Sequence, residues 1–564
     1  MRLLLLVTLL LPLFAQKQGR VILISLDGMG YQSFTEDPAA AEMTTLREMA
    51  ETGIYAPMQA AFPSLTAPGH AALFTGVYGN VNGITANDVP VSFEQRKRGF
   101  RAEQLLAPMF WIGPAKKGLK VVAHNPTQGY PCNAFNSGQN VVLYNGYQTP
   151  EVAPGKLLRA ADVKWLDAAP EGFVPPAQSR QPLRYFEYAA GRIRFTGVVF
   201  AKSTRYDTIR MTAYGAKRYV DAPWKEAENA PPGHGEKARP LARYFSEALP
   251  VGDVTAVHFR LFTLSADGKD FLLIQTAAKE ISICADGDHQ DDKFKKKLLA
   301  TAGAFVGNGG GSWYGRGELG QRFTDGLAER RFLETLELHA RQTMRHARAL
   351  MAEYEPRLLV DYLSTTDDML HQWQGNPVTL AYRKWGYQIV DWRIHELQQM
   401  LQPEDHFVVA SDHGMMAVTR ELRVNVLLRE MGYADRVAAQ DHFLILKKPG
   451  NRALLEEVKA KLSAFRDEGK PVFGEWFWPS EKFGTGGPRG GELYFDLMPG
   501  YKAASGTAKR AIEKLDVPKG EHGALPTRPD LQALFIVSGP QVHSRPAMMR
   551  SVDVAPFVLR LLGY

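Results

Sequence analysis

Apolar runs that lead into carboxylates and imidazoles constrain this chain more than any other feature. Val21 to Leu26 ends at Asp27-Gly28. Leu358 to Leu363 is soon followed by Asp367, Phe407 to Ala410 runs into Asp412-His413, and Leu534 to Val537 comes just after His522. Runs this short and apolar read as parallel strands buried on both faces. Helical patterns lie between them, over Ala328 to Glu353 and Ala381 to Leu401. Strands alternating with helices predict an α/β fold with a doubly wound, mostly parallel sheet. Open sheets of this kind bind ligands at the carboxyl ends of their strands, where these polar residues fall.

At 564 residues the chain is too long for one simple core. The interval from about 150 to 320 has a different texture, with Pro-rich stretches at Pro170 to Pro182 and Pro231-Pro232. Strand-like runs occur there at Arg194 to Ala201, and at His258 to Leu264 and Phe271 to Gln275 flanking the turn Ala266-Asp267-Gly268-Lys269. Asn308-Gly309-Gly310-Gly311 reads as its flexible close, and Lys293 to Lys297 as a solvated loop. The expected organisation is a signal peptide over 1–16, an α/β unit built from 17–150 and 321–564, and a β-rich insertion over 151–320 placed above the sheet's carboxyl edge. A second, irregular cap is expected near 430–510, Gly-rich from Gly484 to Gly491.

Arg2 precedes an apolar run from Leu3 to Phe14 and then Ala15, the pattern of a secretory signal peptide. That run is too short to span a bilayer, and no other stretch of about eighteen apolar residues appears. A periplasmic or secreted protein with no membrane span after signal removal is expected. Export permits a disulfide between Cys132 and Cys284, though their separation in sequence does not fix proximity. With no Cys-x-x-Cys, a thiolate zinc site is excluded. The net charge of +7 suits anionic partners, but no basic run interleaved with aromatics points to duplex nucleic acid.

Five short stretches carry residues suited to a metal or to attack on phosphorus: Leu26-Asp27-Gly28, Thr66 to His70, Asp367 to His371, Ser411 to Gly414 and Glu521-His522-Gly523. Asp27, alone, could be a simple Asx turn. Pro68 places Thr66 at or just before a helix start, where the dipole favours an anion and a hydroxyl could ionise beside a cation. Thr66 could equally be an ordinary N-cap, and Ser64 is a rival nucleophile. His70 reads as a packed, hydrogen-bonding residue. Asp367 and His371 share a face on a helical turn while Asp368 points elsewhere. Asp412 and His413, being adjacent, should diverge, to serve different metals or straddle one. Mixed carboxylate and imidazole ligands suit zinc, and two such ions would clamp the attacking and leaving oxygens. His234, His289, His339 and His346 are assigned no role.

Taken together these stretches resemble the alkaline phosphatase superfamily, in its nucleotide pyrophosphatase/phosphodiesterase (type I phosphodiesterase) branch. The resemblance rests on Ile24 to Gly28, Phe62 to His70 running on to Gly76, Asn82 to Asn87, Asp367 to His371, Ser411 to Met415 and Glu521 to Gly523, in the family's order. It implies an alkaline-phosphatase-like fold and an exported hydrolase of phosphodiester or nucleotide pyrophosphate bonds. It implies Thr66 as a nucleophile that forms a phospho-threonine, and Asn87 as a donor to a phosphate oxygen. It implies one zinc held by Asp27, Thr66, Asp412 and His413 and another by Asp367, His371 and His522, with manganese not excluded. Neither cysteine has the Cys/Ser-x-Pro-x-Arg setting of a sulfatase.

The related phosphomonoesterase branch carries a Lys-x-Arg pair after the Asn motif, for a monoester's extra charge. Here Lys237-Ala238-Arg239 is that pattern's match, in a Pro- and Gly-rich part of the insertion that reads as a solvated loop. The expected substrate is therefore a small phosphate diester. A phosphomonoesterase or a phosphonate hydrolase on the same core is the alternative, and a secreted metal-binding protein without catalysis is the alternative of another class.

Overall fold

The computed structural model describes residues 19–227, 245–287, 289–307, 310–480, 483–504, 506, 510–540, 542 and 546–564. The expected signal peptide, Pro231-Pro232, His234, Lys237-Ala238-Arg239 and Asn308-Gly309 lie outside these residues.

The apolar runs form the centre of a ten-stranded sheet. Its five middle strands are parallel: Val141–Asn145, Val121–His124, Leu358–Leu363, Val21–Leu26 and His406–Ala410, in that spatial order. Ala533–Ser538 extends it antiparallel beside His406–Ala410, and Ile54–Gln59 pairs antiparallel with that strand in turn. On the opposite side Ser282–Ala285 adds an antiparallel strand to Val141–Asn145.

Both faces are covered, which is why the central strands are apolar at nearly every position. Ile22, Ile24 and Leu26 pack toward the helices Leu327–Tyr354 and Leu380–Gln398, through Phe332, Leu336, Ile389 and Ile394. Val21 and Leu23 face the other way, toward Ala67, Ala71 and Phe74 of the helix Thr66–Thr75 and Val554 and Val558 of Val554–Leu561. Helices on both faces of a largely parallel sheet make the expected doubly wound α/β architecture.

The interval between the first and second parts of this sheet is β-rich. Five antiparallel strands, from Lys164–Leu166 to Val220–Pro223, share a core with the hairpin Phe259–Leu264 and Phe271–Gln275 through Phe186, Phe195, Ile209, Phe259 and Leu273. This unit docks on the helix Leu327–Tyr354 through a buried ion pair, Arg260 Nη2 to Glu334 Oε2 at 2.8 Å. Removing one partner of such a pair typically costs about 3–5 kcal/mol, because the other charge stays buried. Ser282–Ala285 already belongs to the central sheet, and Cys284 in it is bonded to Cys132, with Cα atoms 6.5 Å apart.

Three local expectations are corrected. Lys293 to Lys297 is not a loop but part of the helix Asp292–Ala302, started by the Asp291 carboxylate accepting from Phe294 N. Gly310 and Gly311 open a short helix, Gly310–Gly315. The segment near 430–510 is not irregular: four antiparallel strands, Val437–Gln440, Phe443–Leu446, Leu493–Leu497 and Phe473–Phe477, carry the helix Arg452–Ala464 on an apolar core of Leu444, Phe495, Leu455 and Val458.

His339 and His346 are fully buried on the helix Leu327–Tyr354. Burial lowers His339 from its ordinary 6.5 to about 4 and His346 to about 3. The folded chain therefore refuses protons that the unfolded chain takes up below 6.5. This contribution to stability is complete above 6.5 and is lost as pH falls toward those folded values. The melting temperature is expected to drop between about pH 7 and pH 5. His346→Gln should shrink that drop in a calorimetric pH series.

Candidate metal centre and nucleophile

Strand register levels the three strand ends that lead to the acids. Leu26 pairs with Leu363, and Ser25 pairs with Ala410. The chain therefore leaves the sheet at one height just before Asp27, Asp367 and Asp412. Gly28 turns away at φ 69°, a conformation L side chains avoid, and its N–H donates to Asp412 Oδ1 at 3.1 Å. A Cβ at Gly28 would lie 3.0 Å from the Asp367 Cα and Cβ. Asp367 and His371 follow on the helix Thr365–Trp373 and face the same point, with Asp367 Oδ1 3.3 Å from His371 Nε2.

The helix Thr66–Thr75 brings the hydroxyl. Its N-cap is Leu65, which makes no side-chain cap bond, so Thr66 is the first helical residue and not the cap. Thr66 Oγ lies 3.3 Å from His413 Nε2. One turn on, Gly69 allows close approach to the sheet: a Cβ there would lie 2.8 Å from Asp412 Cβ. Ser64, the rival hydroxyl, is fully buried and donates to Ala524 O at 2.8 Å.

His522 arrives by a long antiparallel pairing. The strand Met416–Leu422 starts two residues after the Asp412-His413-Gly414 turn and pairs with Ile512–Glu521, Met416 opposite Glu521. His522 is thereby carried back to His413, their rings stacked with centroids 3.8 Å apart. His522 Nε2 lies 3.6 Å from Asp367 Oδ1.

Two overlapping clusters result. Asp367, His371 and His522 form one; the other joins two groups, Asp27 with Asp367 and His413 and Asp27 with His70 and Asp412, and His413 Nε2 lies 3.1 Å from Asp412 Oδ2 and 3.5 Å from Asp27 Oδ1. Asp27 Oδ1, Asp367 Oδ1 and Asp412 Oδ2 are buried and have no hydrogen-bond donor among the described residues. Unmatched buried carboxylate oxygens are costly, and their convergence is what a divalent cation satisfies. The imidazoles agree. The Nδ1 atoms of His371, His413 and His522 contact the carbonyls of Gly520, Gly414 and Ser64 at 2.8, 2.9 and 3.0 Å. Donation of each Nδ1–H to a carbonyl leaves each Nε2 lone pair facing the cluster, the tautomer a metal ligand needs. These residues fit metal ions on chemistry as well as geometry.

The electrostatics of the bare protein express the same crowding. Burial, and then the neighbouring Asp412 and Asp367 charges, push the Asp27 carboxyl well above its usual range. Burial acts against charge at Asp367 and His371 too, but their mutual attraction prevails. Asp367 is held down at about 2 and His371 up at about 10. Burial and the nearby His413 lower His522 to about 3.

The side chains of Asp27, Thr66, Asp367, His371, Asp412, His413 and His522 come together, and Asn87 lies at their edge. Asn87 Oδ1 accepts from Ala67 N at 2.9 Å, which sets its amide beside Thr66. His70 packs between Ser25 Oγ at 2.8 Å and Thr66 O at 2.9 Å, and its Nδ1, 3.2 Å from Asp412 Oδ2, also sets it in a group with Asp27 and Asp412 that could hold a metal. Asp368 turns aside to accept from Ser364 Oγ. The expected divergence of Asp412 and His413 is corrected: the chain bends after Ser411, whose hydroxyl donates to His413 O, and the two side chains converge. Tyr362 escapes a reading of the sequence. It sits inside an apolar run and looks like core, yet its hydroxyl donates to Asp27 Oδ2 at 2.6 Å.

Comparison with known proteins bears on the family and the fold. A family model described as type I phosphodiesterase / nucleotide pyrophosphatase matches residues 21–204 and 285–525. No curated protein matches the chain in sequence. Among solved structures, phosphonoacetate hydrolase from Sinorhizobium meliloti 1021, in complex with phosphonoformate, superposes with a TM-score of 0.51 at 14% identity, over 97% of this chain and 96% of that one. Human ectonucleotide pyrophosphatase / phosphodiesterase 5 gives 0.47 at 13% identity, over 96% and 95%.

Gly28→Ala should displace Asp367 and lower the divalent-cation content measured by atomic emission, with the circular dichroism of the fold retained. Unchanged metal content would mean that the close approach of Gly28 to Asp367 does not govern cation binding.

Proposed function

Because the chain belongs to the type I phosphodiesterase / nucleotide pyrophosphatase family of the alkaline phosphatase superfamily, we propose that it is an exported hydrolase of small phosphate diesters or nucleotide pyrophosphates that works through a phospho-threonine. Family membership supports the coarser statement, a hydrolase of phosphoric esters, directly. The observation that carries the finer one is Thr66. Its hydroxyl is freed from capping at a helix start, 3.3 Å from His413 Nε2, beside three carboxylates whose inward oxygens lack donors.

Asp27, Thr66, Asp412 and His413 would hold one zinc and Asp367, His371 and His522 the other, with manganese as the substitute. When bound, the ions supply the positive charge that favours an ionised hydroxyl and offsets the charge of the leaving oxygen. Thr66 Oγ forms a bond to phosphorus as the ester oxygen departs from the opposite side. Water then attacks the same phosphorus, and Oγ departs in turn, restoring threonine. Two in-line displacements give net retention. Asn87 contributes a donor: its Oδ1 is spent on Ala67 N, so its amide N–H groups are left to face a phosphate oxygen. The helix Thr66–Thr75 directs its N-terminus at the same oxygens.

The Cys132–Cys284 bond supports an oxidising compartment, and with it periplasmic or secreted residence. No helix among the described residues is long and apolar enough to cross a membrane.

Thr66→Ala should lower kcat for an aryl phosphodiester by on the order of a thousand-fold or more while bound zinc stays near the wild-type amount. Unchanged turnover would remove Thr66 as nucleophile. A panel of matched aryl diester, aryl monoester and phosphonate is expected to give the highest kcat/KM with the diester. A higher value for the monoester or the phosphonate would reassign the reaction to that class, and metal binding with no turnover of any would leave a binding protein.

A further inference from the structure

On the reading that Thr66 attacks a phosphate ester, a cavity beside it assigns a feature of the substrate. This cavity, about 420 Å³, lies at the carboxyl ends of Val121–His124, Val141–Asn145 and Leu358–Leu363. It shares Tyr362 with the metal centre, since that hydroxyl donates to Asp27 Oδ2. Its other side is fastened to the nucleophile's helix by Gln128. The Gln128 amide donates to Gly99 O at 2.8 Å and Ala67 O at 3.3 Å, and its backbone N–H to Phe100 O at 2.9 Å. The cavity is therefore built onto the two residues that flank the reacting atoms, Asp27 and Ala67.

Its charge is one-sided. Two guanidinium groups, Arg98 and Arg101, line it, and no carboxylate does. Arg101 is committed: its Nε and Nη2 donate to Glu103 at 3.0 and 3.1 Å and its Nη1 to Gln148 O at 3.1 Å. Arg98 is not. The one hydrogen-bonded contact of its guanidinium among the described residues is Nη1 to Asp88 Oδ1 at 3.4 Å, and its side chain is 67% exposed. The Nε and Nη2 donors of Arg98 thus have no protein acceptor there, while its guanidinium rests on the Phe100 ring, 5.2 Å from the centroid. Gln148 Oε1 is buried with no partner among the described residues, so that amide can turn either end to an occupant. Tyr147 and Tyr362 meet edge to face, centroids 5.4 Å apart, and with Phe100 supply aromatic wall.

We propose that this cavity receives a second anionic group of the substrate, a carboxylate or a phosphate, joined to the reacting phosphorus by a short flat or apolar linker, with Arg98 as its principal donor. A guanidinium with two adjacent free N–H groups matches either anion in a bidentate fork. Aromatic walls take the linker, and the volume is in the range that holds a ring plus one such group. A neutral tail leaves Arg98 in water, so diesters with an uncharged tail remain substrates and those whose tail carries a second anion are preferred.

The test compares three aryl phosphodiesters that differ only in the tail: methyl, carboxylate or phosphate. Wild type is expected to favour the charged tails in kcat/KM by about ten-fold or more, the scale of one charge-assisted hydrogen bond. Arg98→Ala should bring that ratio close to one, and Arg98→Lys should restore part of it. Preference for one tail over the other identifies the anion. A wild-type ratio near one, or a ratio that Arg98→Ala leaves intact, overturns the proposal while leaving the diesterase reading in place. If no diester is turned over, the proposed reaction fails instead. The cavity is then judged by calorimetric binding of the same compounds: Arg98-dependent binding of the charged tails upholds it, and equal binding of all three overturns it.

Discussion

Mutual repulsion among three buried carboxylates is the constraint on which the rest of the structure depends. Asp27, Asp367 and Asp412 come from segments far apart in sequence and point oxygens without donors among the described residues into one space. Such a grouping is unfavourable by itself, and the raised Asp27 carboxyl shows it: burial and two like charges act in the same direction. A scaffold can hold these groups together only if its framework is rigid and something positive satisfies them. The sheet supplies the rigidity, with registered strand ends and helices on both faces; the imidazoles, and the cations they are oriented to bind, supply the rest.

Around that constraint the small residues have defined jobs. Gly28 takes a left-handed turn and lets Asp367 come close; Gly69 lets the helix Thr66–Thr75 lie against Asp412. The backbone carbonyls of Gly520, Gly414 and Ser64 fix three imidazole tautomers without spending a side chain on each. Tyr362 ties Asp27 to the neighbouring cavity, so that the metal centre and the cationic recess beyond it share a wall. A substrate bound with one end at Thr66 would meet Arg98 at the other, which is how one site can set both the reaction and the choice of substrate.

The two accessory units show why local reading succeeded unevenly. The hairpin around Asp267-Gly268 was legible because alternating apolar runs flanking a glycine turn leave few alternatives. The helix Asp292–Ala302 was not, because its lysines suggested a solvated loop. What makes it helical is the Asp291 cap and the burial of Phe294 and Leu298 against the rest of the fold. The segment near 430–510 looked irregular because its Gly-rich stretch masks strands whose pairing partners lie up to some fifty residues away, as Phe443 and Tyr494 do.

The sequence by itself determined the sheet's parallel centre, a helix start at or next to Thr66 and the carboxylates and imidazoles on offer. Burial on both faces demands continuous apolar strands, and Pro68-Gly69 allows a helix to start there. Only the tertiary structure decided that Asp412 and His413 converge, that His522 stacks on His413, that Tyr362 is a partner of Asp27 and that Arg98, held by Asp88 through Nη1 alone, lines a recess with no carboxylate in its wall. Each of these depends on how separate strands register and on which way one residue turns at a strand's end. Periodicity along the chain carries no record of either.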